Sequence, residues 1–381
     1  MRMGTTLIHS GYDYDKNTGA LGTPVFQTST FARLNIDEKQ EYDYARSGNP
    51  TRKALEETIA RLEGGALLEA RGYAFSSGIA AIASALSIFS AGDHIITAED
   101  IYGGSYRLFN TFFKRWGLEY TAVDASSLDA VKAALKPATK ALFLETPSNP
   151  LLKIVDLRPC FDFAREHNLI SIVDNTFMTP YLQRPLELGC DIVVHSATKF
   201  LGGHSDVIHG LAVTRNEELG RRVYAVQNSF GAVPGPWDVF LVLRGIKTLK
   251  VRMEESQKTA LAVARFLRGH KSVRAVYYPG LDGHPGKEIH EKQASGGGAV
   301  LSFKTDTVER ARAFLSRVKL AAAAVSLGGV ETIASYPVLM SHASVPPAER
   351  KRLGITDTLI RISCGLEDAA DLITDFNDAL E

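Results

Sequence analysis

The sequence predicts an α/β protein in which a large domain with a mostly parallel sheet precedes a smaller α+β domain. In the first half of the chain, short apolar runs alternate with helical stretches, which is the pattern of parallel strands buried on both faces. After a long amphipathic stretch, a second group of strands and helices follows. The length of 381 residues allows two or three domains and a sizeable buried core.

Residues 1–50 are expected to form an extended arm, since they are rich in Gly, Thr, Tyr and Asn and show little helical periodicity. From Thr51 a helical pattern begins, and Gly64 with Gly65 makes a typical helix end. An arm of this kind usually lies against another surface.

The large domain is predicted over residues 51–240. Its most apolar segment, residues 79–89, predicts a buried helix because Ala, Ile and Leu continue over about three helical turns. The predicted strands of this domain are Tyr73–Phe75, His94–Thr97, Ala141–Leu144, Ile170–Val173 and Asp191–Val194.

The smaller domain is predicted over residues 241–381. An amphipathic stretch that begins after Pro236 and continues to Leu267 predicts a long linker helix. The strands and helices predicted beyond it are the strands Val273–Tyr278, Ala299–Phe303 and Leu359–Ile362, and the helices Val308–Leu315 and Ala369–Leu380.

The composition argues against several classes of function. The 43 basic and 43 acidic residues balance, so no excess positive charge is available for nucleic acid or an anionic membrane surface. No apolar stretch approaches the length of a membrane span, and the N-terminus has no secretory pattern. Cys160, Cys190 and Cys364 are widely spaced and predict neither a disulfide framework nor a zinc knuckle. We therefore expect a cytoplasmic protein.

Polar residues at two strand ends predict a cofactor site, because ligands of open parallel sheets gather beyond the carboxyl ends of the strands. Lys199 follows one apolar run and Asp174 follows another. Such a pair suits pyridoxal 5′-phosphate (PLP), whose aldehyde forms a Schiff base with a lysine amine while a carboxylate keeps the ring nitrogen protonated. From these segments alone, a salt bridge or a solvated lysine explains the pair equally well.

The phosphate of such a cofactor needs hydrogen-bond donors. Ser77 and Gly78 follow a predicted strand and open the apolar helix, whose N-terminal N–H groups and dipole favour an anion. Ser196 and Thr198 add two hydroxyl groups from another strand end. The alternative for Ser77 is a helix N-cap, which is the commoner role of serine at this type of junction.

Tyr102 and Arg361 fit the same site. Tyr102 follows a predicted strand and can lay its ring against a planar cofactor, although a turn tyrosine is otherwise unremarkable. Arg361 lies in a predicted strand of the smaller domain, where its guanidinium suits either a substrate carboxylate or an internal ion pair. His204, Asp206 and His209 do not have the spacing of a metal-binding motif, so we expect no metal.

Seven segments, in order along nearly the whole chain, resemble the trans-sulfuration family of PLP-dependent enzymes, also called the Cys/Met metabolism family. This resemblance implies the PLP-dependent transferase-like fold of aspartate aminotransferase (fold type I) and PLP as the cofactor. The segments are Tyr44–Thr51, Phe75–Gly78, Glu145–Pro150, Val173–Thr176, Ser196–Lys199 with Gly203–Asp206, Ser326–Gly329 and Leu359–Ser363.

The resemblance also implies roles for residues around the cofactor. Lys199 would be the Schiff-base lysine and the catalytic base, Asp174 would pair with the ring nitrogen, and Tyr102 would stack on the ring. The implied phosphate ligands from the same subunit are Gly78, Ser196 and Thr198.

A neighbouring subunit and the substrate enter through the same resemblance. Tyr44 and Arg46 of the extended arm would reach the phosphate in a neighbouring subunit, as in family members that are homotetramers built from pairs of dimers. Asn149, Ser326 and Arg361 would position the α-carboxylate of a small amino-acid substrate, and Asn149 would also touch the cofactor hydroxyl.

The implied activity is that of a carbon–sulfur lyase acting on cystathionine at Cβ, which yields homocysteine, pyruvate and ammonia in methionine biosynthesis. Many γ-synthases and γ-lyases carry Glu where this chain has Val325, and methionine γ-lyases tend to carry Cys where it has Gly104. Cystathionine γ-lyase and γ-synthase are the alternatives on this scaffold, because the core residues serve both carbons. An alternative of another class is a non-catalytic α/β binding protein.

Overall fold

The structure, a computed structural model, describes residues 1–33, 35–65, 67 and 69–381. Two β-sheets with helices packed against them make up these residues. The helices are α1 Met3–His9, α2 Pro50–Gly64, α3 Gly78–Leu86, α4 Gly103–Leu108, α5 Leu128–Ala133, α6 Leu157–Glu166, α7 Thr179–Leu182, α8 Pro185–Leu188, α9 Glu217–Phe230, α10 Pro236–Ile246, α11 Leu249–Gly269, α12 Lys287–Gln293, α13 Val308–Arg317, α14 Pro347–Arg352 and α15 Ala369–Leu380, and the π-helical turn Phe109–Phe113 continues α4.

The larger sheet is formed by the strands β1 Arg71–Phe75, β2 His94–Ala98, β3 Glu119–Val123, β4 Thr139–Glu145, β5 Ile170–Asp174, β6 Ile192–Ser196 and β7 Gly210–Thr214. Their order is β1-β7-β6-β5-β4-β2-β3. The strands β2 to β6 pair in parallel, whereas β7 is antiparallel to both of its neighbours, β6 and β1. This mostly parallel sheet with helices confirms the predicted α/β class.

The smaller sheet is formed by the strands β8 Val273–Tyr277, β9 Val300–Thr305, β10 Ala322–Ala323, β11 Ile333–Ser335 and β12 Leu359–Ser363. Their order is β10-β11-β12-β9-β8, and every pairing except that of β10 with β11 is antiparallel. The helices α11, α13 and α15 pack with this sheet or with one another. The α+β character predicted for the C-terminal part is therefore present.

Buried apolar side chains form two clusters, one around each sheet. The first cluster contains the apolar side chains of the parallel strands, and Leu327 from the C-terminal part joins it. The second cluster centres on β9, β12 and the helices beside them. The division into residues 1–50, 51–240 and 241–381 stays a prediction, to which the two clusters lend support.

Two strands of the larger sheet are absent from the sequence-based prediction. The edge strand β3 has the sequence EYTAV and is only partly buried, so it lacks the continuous apolar run used to find the others. The strand β7 begins at a glycine that pairs with Phe75 of β1 and Ser196 of β6. Its antiparallel direction agrees with the prediction of a mostly, but not entirely, parallel sheet.

The predicted linker helix is two helices, α10 and α11, and the prediction of one continuous helix is wrong. The break falls at Lys247 and Thr248. The buried side chain of Arg252 holds this break, because its Nη2 donates to Gly245 O at 2.7 Å and its Nε to Thr248 Oγ1 at 3.0 Å. The bond to Gly245 O satisfies a carbonyl that a continuous helix would pair internally.

The N-terminal arm is mostly irregular, as predicted, but it begins with the short helix α1. Leu7 of α1 is buried and belongs to the larger apolar cluster. Among the helices of the described residues, none combines the length and the apolar character that crossing a bilayer requires.

Candidate active site

A cavity of ≈ 740 Å³ opens beyond the carboxyl ends of β4, β5 and β6, at the N-terminus of α3. It brings together residues of both sheets, because Arg361 of β12 and Ser326 reach it from the C-terminal part. The residues predicted for the site that line this cavity are Ser77, Gly78, Tyr102, Asn149, Asp174, Ser196, Thr198, Lys199, Ser326 and Arg361.

Lys199 lies three residues after β6, and its ammonium group faces the cavity. Its Nζ donates a hydrogen bond to Ser326 Oγ at 2.6 Å. Burial, and secondarily the positive charge of Arg361, lowers the pKa of Lys199 to about 8. The uncharged amine, which a nucleophile or a general base requires, is therefore far more populated near neutral pH than for an ordinary lysine.

Asp174 is the last residue of β5, and Thr176 holds its carboxylate in place. Asp174 Oδ1 accepts hydrogen bonds from the backbone N–H of Thr176 at 3.0 Å and from the Thr176 hydroxyl at 2.5 Å. Burial raises the pKa of Asp174, and these two bonds oppose that rise. Neither Asp174 nor Lys199 belongs to an ion pair of the described residues, so the salt bridge considered between them is not formed.

The N-terminus of α3 forms one wall of the cavity. Ser77 is its N-cap, since Ser77 Oγ accepts the backbone N–H of Ala80 at 3.2 Å. A Cβ on Gly78 would lie 2.6 Å from Ser196 Cβ, so only glycine fits between the helix and the end of β6. The hydroxyl of Thr198 exchanges hydrogen bonds with the backbone of His209, which fixes the loop that carries Lys199.

This set of groups fits PLP. The Asp174 carboxylate is buried without a cation within ion-pair distance among the described residues, and a protonated ring nitrogen would supply that cation. The Lys199 amine stands in the same cavity with a lowered pKa. A helix N-terminus, a glycine and the hydroxyl of Ser196 lie together where a phosphate needs donors.

Tyr102 precedes α4, and its partly exposed ring lines the cavity. Its backbone N–H donates to Glu145 Oε2 at 2.8 Å, which ties the tyrosine to the end of β4. Glu145 is a site residue that the sequence reasoning did not single out, although it lies in the segment Glu145–Pro150 that carries part of the resemblance. Burial, together with the charge of Asp174, raises the pKa of Glu145 well above its ordinary range.

Arg361 is buried, at 2% exposure, and forms no ion pair with the residues that the structure describes. Its Nη1 donates to Asn149 Oδ1 at 3.0 Å, and its Nη2 donates to Ser326 O at 2.6 Å and to Ser335 Oγ at 3.1 Å. Its Nε has no hydrogen-bond partner in the described residues. Burial lowers the pKa of Arg361 to about 10. The internal ion pair considered for this arginine is not formed, and a carboxylate ligand would satisfy it.

Tyr44 and Arg46 lie outside this cavity. They line a second cavity of ≈ 300 Å³ together with Arg52 and Pro234, and the Arg46 guanidinium lies 5.5 Å from the centre of the Tyr44 ring. Within one chain they do not contact the other predicted site residues. This position is compatible with a role at the phosphate site of a neighbouring subunit. That role stays a prediction.

Further residues of the cavity wall lie outside the set predicted to hold the cofactor and the substrate. Arg107 of α4 places a cation in the wall, and the segment 340–344 of the C-terminal part covers another side. That segment lies against α4, where Ser344 Oγ approaches Gly103 O at 3.4 Å. No local pattern in the sequence marks Arg107 as a wall residue, and none marks the contact of residues 103 and 344.

The predicted absence of a metal has no direct test in the structure. In the described part of the chain, no group of three or more His, Cys, Asp or Glu side chains is arranged to hold a metal ion. Of the three candidates considered, His204 bonds the Gly202 carbonyl through Nδ1 at 2.8 Å, and Asp206 is exposed.

Residues 4–381 match the family described as Cys/Met metabolism PLP-dependent enzymes. Cystathionine β-lyase MetC of Bacillus subtilis is 51% identical over 377 residues, which are 99% of this chain and 96% of the relative. Cystathionine γ-lyase of the same organism is 50% identical over 381 residues, with both chains covered completely. Cystathionine γ-synthase of Mycobacterium leprae is 44% identical over 381 residues, 99% of this chain and 96% of the relative.

Similar proteins are also found among solved structures. The structure is similar to cystathionine γ-lyase from Lactobacillus plantarum complexed with L-serine, with a TM-score of 0.96, 44% identity, and coverage of 100% of this chain and 98% of that one. It is equally similar to cystathionine γ-synthase from Xanthomonas oryzae pv. oryzae in complex with cystathionine, with a TM-score of 0.96, 40% identity and the same coverage.

Proposed function

The chain belongs to the Cys/Met metabolism family of PLP-dependent enzymes and uses PLP as its cofactor; on that premise we propose that it is a carbon–sulfur lyase that cleaves cystathionine at Cβ. The products are homocysteine, pyruvate and ammonia. The family membership also argues against the non-catalytic binding protein considered from the sequence, and it makes a small amino acid the substrate class.

The observation that carries the choice of Cβ is Val325 at the cavity rim. This side chain is 63% exposed and directly precedes Ser326, so it stands where the far end of a bound substrate would pass. The carboxylates that line the cavity are Glu145 and Asp174, and both are buried. Among the described residues, the rim therefore has no acidic side chain to bind the distal amino group of the substrate. Such a contact would hold the substrate for chemistry at Cγ. The similarity to B. subtilis cystathionine β-lyase supports the same choice.

Substrate binding is assigned to Arg361, Asn149 and Ser326. Arg361 Nε has no hydrogen-bond partner among the described residues, and its two Nη atoms donate to Asn149 and Ser326. These bonds fix the orientation of the guanidinium, which can then bind the α-carboxylate of the substrate. A bidentate contact fixes the direction of Cα relative to Lys199. Because Arg361 is buried, water competes little for the bound carboxylate.

Proton transfer is assigned to Lys199. Its lowered pKa makes the neutral amine more available than in an ordinary lysine, and the neutral amine removes the proton from Cα of the bound substrate. Ser326 Oγ, 2.6 Å from Lys199 Nζ, directs the amine towards the side of the cavity that Arg361 occupies. Bound PLP supplies an electron sink for the negative charge that develops at Cα. The sulfur substituent then leaves Cβ as a thiolate, while Asp174 keeps its negative charge near the ring nitrogen.

Cleavage at Cγ is the second candidate, as in a cystathionine γ-lyase or γ-synthase. The 50% identity to the B. subtilis γ-lyase favours it nearly as strongly as the β-lyase similarity favours cleavage at Cβ. Lys199 can remove a further proton at Cβ, so the core residues serve both outcomes. Val325 is the feature of this chain that weighs towards Cβ.

Identification of the products separates the candidates. The holoenzyme incubated with cystathionine is expected to yield pyruvate and homocysteine in equal amounts. The yield of 2-oxobutyrate and cysteine instead would establish a γ-lyase, and formation of cystathionine from an activated homoserine and cysteine would establish a γ-synthase. Val325→Glu should raise the share of 2-oxobutyrate, whereas the matched control Val325→Leu should leave the product ratio unchanged.

The assembly and cellular context belong to the same proposal. We propose a cytoplasmic homotetramer, a dimer of dimers that acts in methionine biosynthesis. Tyr44 and Arg46 would complete the phosphate site of a neighbouring subunit. The exposed position of Tyr44 and its distance from the main cavity in the single chain support this arrangement.

A further inference from the structure

Glu145 occupies a central position in the cavity to which the proposed chemistry gives no role. It ends β4, and its register partner on the neighbouring parallel strand is Asp174, which ends β5. Equivalent positions at the carboxyl ends of adjacent parallel strands place their side chains in the same crevice. Both side chains are buried and line the same cavity. Two carboxyl groups therefore share one enclosed space.

The surroundings of Glu145 supply no counter-ion. Among the described residues, no Lys, Arg or His nitrogen lies within ion-pair distance of either carboxylate. The charged groups that act on Glu145 are Asp174 at the end of β5, Asp100 in the loop after β2 and, from the smaller sheet, Arg361. Two of these three are acidic, and the cation that PLP brings belongs to Asp174. Two carboxyl groups enclosed in one cavity cannot both ionise without a large cost in free energy.

One hydrogen bond gives Glu145 a structural task. Its Oε2 accepts the backbone N–H of Tyr102 at 2.8 Å. Tyr102 directly precedes α4, and a side-chain acceptor from another strand fixes the chain where the tyrosine ring enters the cavity. A neutral carboxyl group performs this task as well as a charged one, because its carbonyl oxygen still accepts.

The charge state of Glu145 affects Arg361, the residue proposed to bind the substrate carboxylate. Within the described part of the chain, Arg361 Nε has no hydrogen-bond partner and the guanidinium has no ion-pair partner, although Glu145 lies close enough to act on its charge. An ionised Glu145 would neutralise the guanidinium and compete with the substrate carboxylate. A neutral Glu145 leaves that guanidinium available.

We propose that Glu145 is a positioning residue that works as an uncharged carboxylic acid: it fixes the Tyr102 backbone beside the cofactor and leaves Arg361 free for the substrate carboxylate. The second part rests on the proposed function, since it assumes an amino-acid substrate held by Arg361. The first part concerns the holoenzyme alone.

Infrared difference spectroscopy tests the protonation state without any turnover. The spectrum of the holoenzyme at neutral pH minus that of Glu145→Gln should contain the C=O stretch of a protonated carboxylic acid. Loss of only the carboxylate bands in the variant would show that Glu145 is ionised and would overturn the proposal. Asp162→Asn, at an exposed carboxylate, is the matched control and should remove carboxylate bands only.

Visible circular dichroism of bound PLP tests the positioning of Tyr102. Glu145→Gln retains an acceptor for the Tyr102 N–H and should keep the wild-type signal, whereas Glu145→Ala should change its intensity. An unchanged signal in Glu145→Ala would overturn the positioning role. Should the alanine variant fail to fold, Glu145→Asp, with its shorter reach, provides the same comparison.

Steady-state kinetics test the relation to Arg361. With Glu145 already neutral, Glu145→Gln should leave KM for the amino-acid substrate within about threefold, and Glu145→Ala should lower kcat about tenfold through the lost buried hydrogen bond. A several-fold fall of KM in Glu145→Gln would show that an ionised Glu145 had been competing for Arg361. If cystathionine is not turned over at all, the proposed function fails, while the infrared and dichroism results still decide the state of Glu145.

Discussion

Lys199 Nζ lies 2.6 Å from Ser326 Oγ, although Lys199 follows a strand of the larger sheet and Ser326 lies between two strands of the smaller sheet. The backbone oxygen of the same serine accepts a hydrogen bond from Arg361 at 2.6 Å. Ser326 has a φ of +83°, a conformation that non-glycine residues rarely adopt. One strained residue thus connects the group that moves protons with the group that would bind the substrate carboxylate.

The first prediction concerns the pH dependence of cofactor attachment. Covalent attachment of PLP needs the uncharged amine of Lys199, and burial lowers its pKa to about 8. Below this pH the protonated form dominates, so the attachment rate of the PLP-free protein should rise with pH and level off above about 8. Stopped-flow absorbance at a series of pH values measures the rate. A rate that keeps rising up to the ordinary lysine pKa would show that burial does not act on this amine.

The second prediction concerns Arg361. Arg361→Lys removes the planar fork while keeping the charge, so kcat/KM for an amino-acid substrate should fall roughly 10- to 100-fold, mainly through KM. Arg361→Gln should fall further, because it also removes the charge. Initial rates over a range of substrate concentrations measure both constants. Equal KM values for wild type and Arg361→Gln would mean that the carboxylate binds elsewhere.

The third prediction concerns the glycine at the N-terminus of α3. In Gly78→Ala the new Cβ would meet Ser196 Cβ at 2.6 Å, and such overpacking costs about 1–3 kcal/mol. The affinity for PLP should therefore fall roughly tenfold or more, as measured by titrating the PLP-free protein. Gly269→Ala is the control, since no atom lies within 4 Å of a Cβ there. Unchanged PLP affinity in Gly78→Ala would place the phosphate away from this helix.

The fourth prediction concerns stability beneath the site. His195 Nε2 lies 2.7 Å from Glu63 Oε1, both side chains are fully buried, and Asn175 Nδ2 donates to the same oxygen at 2.9 Å. Glu63→Ala removes the partner of His195 Nε2 and one of the two acceptors of Asn175 Nδ2, and should lower the free energy of unfolding by about 3–5 kcal/mol.

Chemical denaturation followed by tryptophan fluorescence measures this loss. Asp162→Ala breaks an exposed pair with Arg165 and should cost below about 1 kcal/mol. Equal effects of Glu63→Ala and Asp162→Ala would show that the buried pair contributes little to stability.

The sequence was sufficient for the parts of the site that local pattern determines. Asp174, Ser196 and Lys199 follow continuous apolar strands, and parallel strands bring their carboxyl ends to one edge, so their common location could be predicted. The helix Gly78–Leu86 follows from its apolar run and from the serine that caps it. The parallel strands β2, β4, β5 and β6 were found for the same reason.

The remaining features depend on contacts between distant parts of the chain. The bond between Lys199 and Ser326 joins residues 127 positions apart, and the position of Ser326 is set by the packing of the two sheets. The half-exposed edge strand β3 has no apolar run to mark it. Glu145 gains its importance from Asp174 and Tyr102 beside it, which no spacing in the sequence reveals.

Reductive trapping shows directly whether PLP is attached to Lys199. The purified holoenzyme is treated with borohydride, digested, and its peptides are sequenced by mass spectrometry. We expect a pyridoxyl phosphate group on Lys199 in the wild-type protein and none in Lys199→Ala. A reduced protein without this group, or with the group on another lysine, would contradict the account.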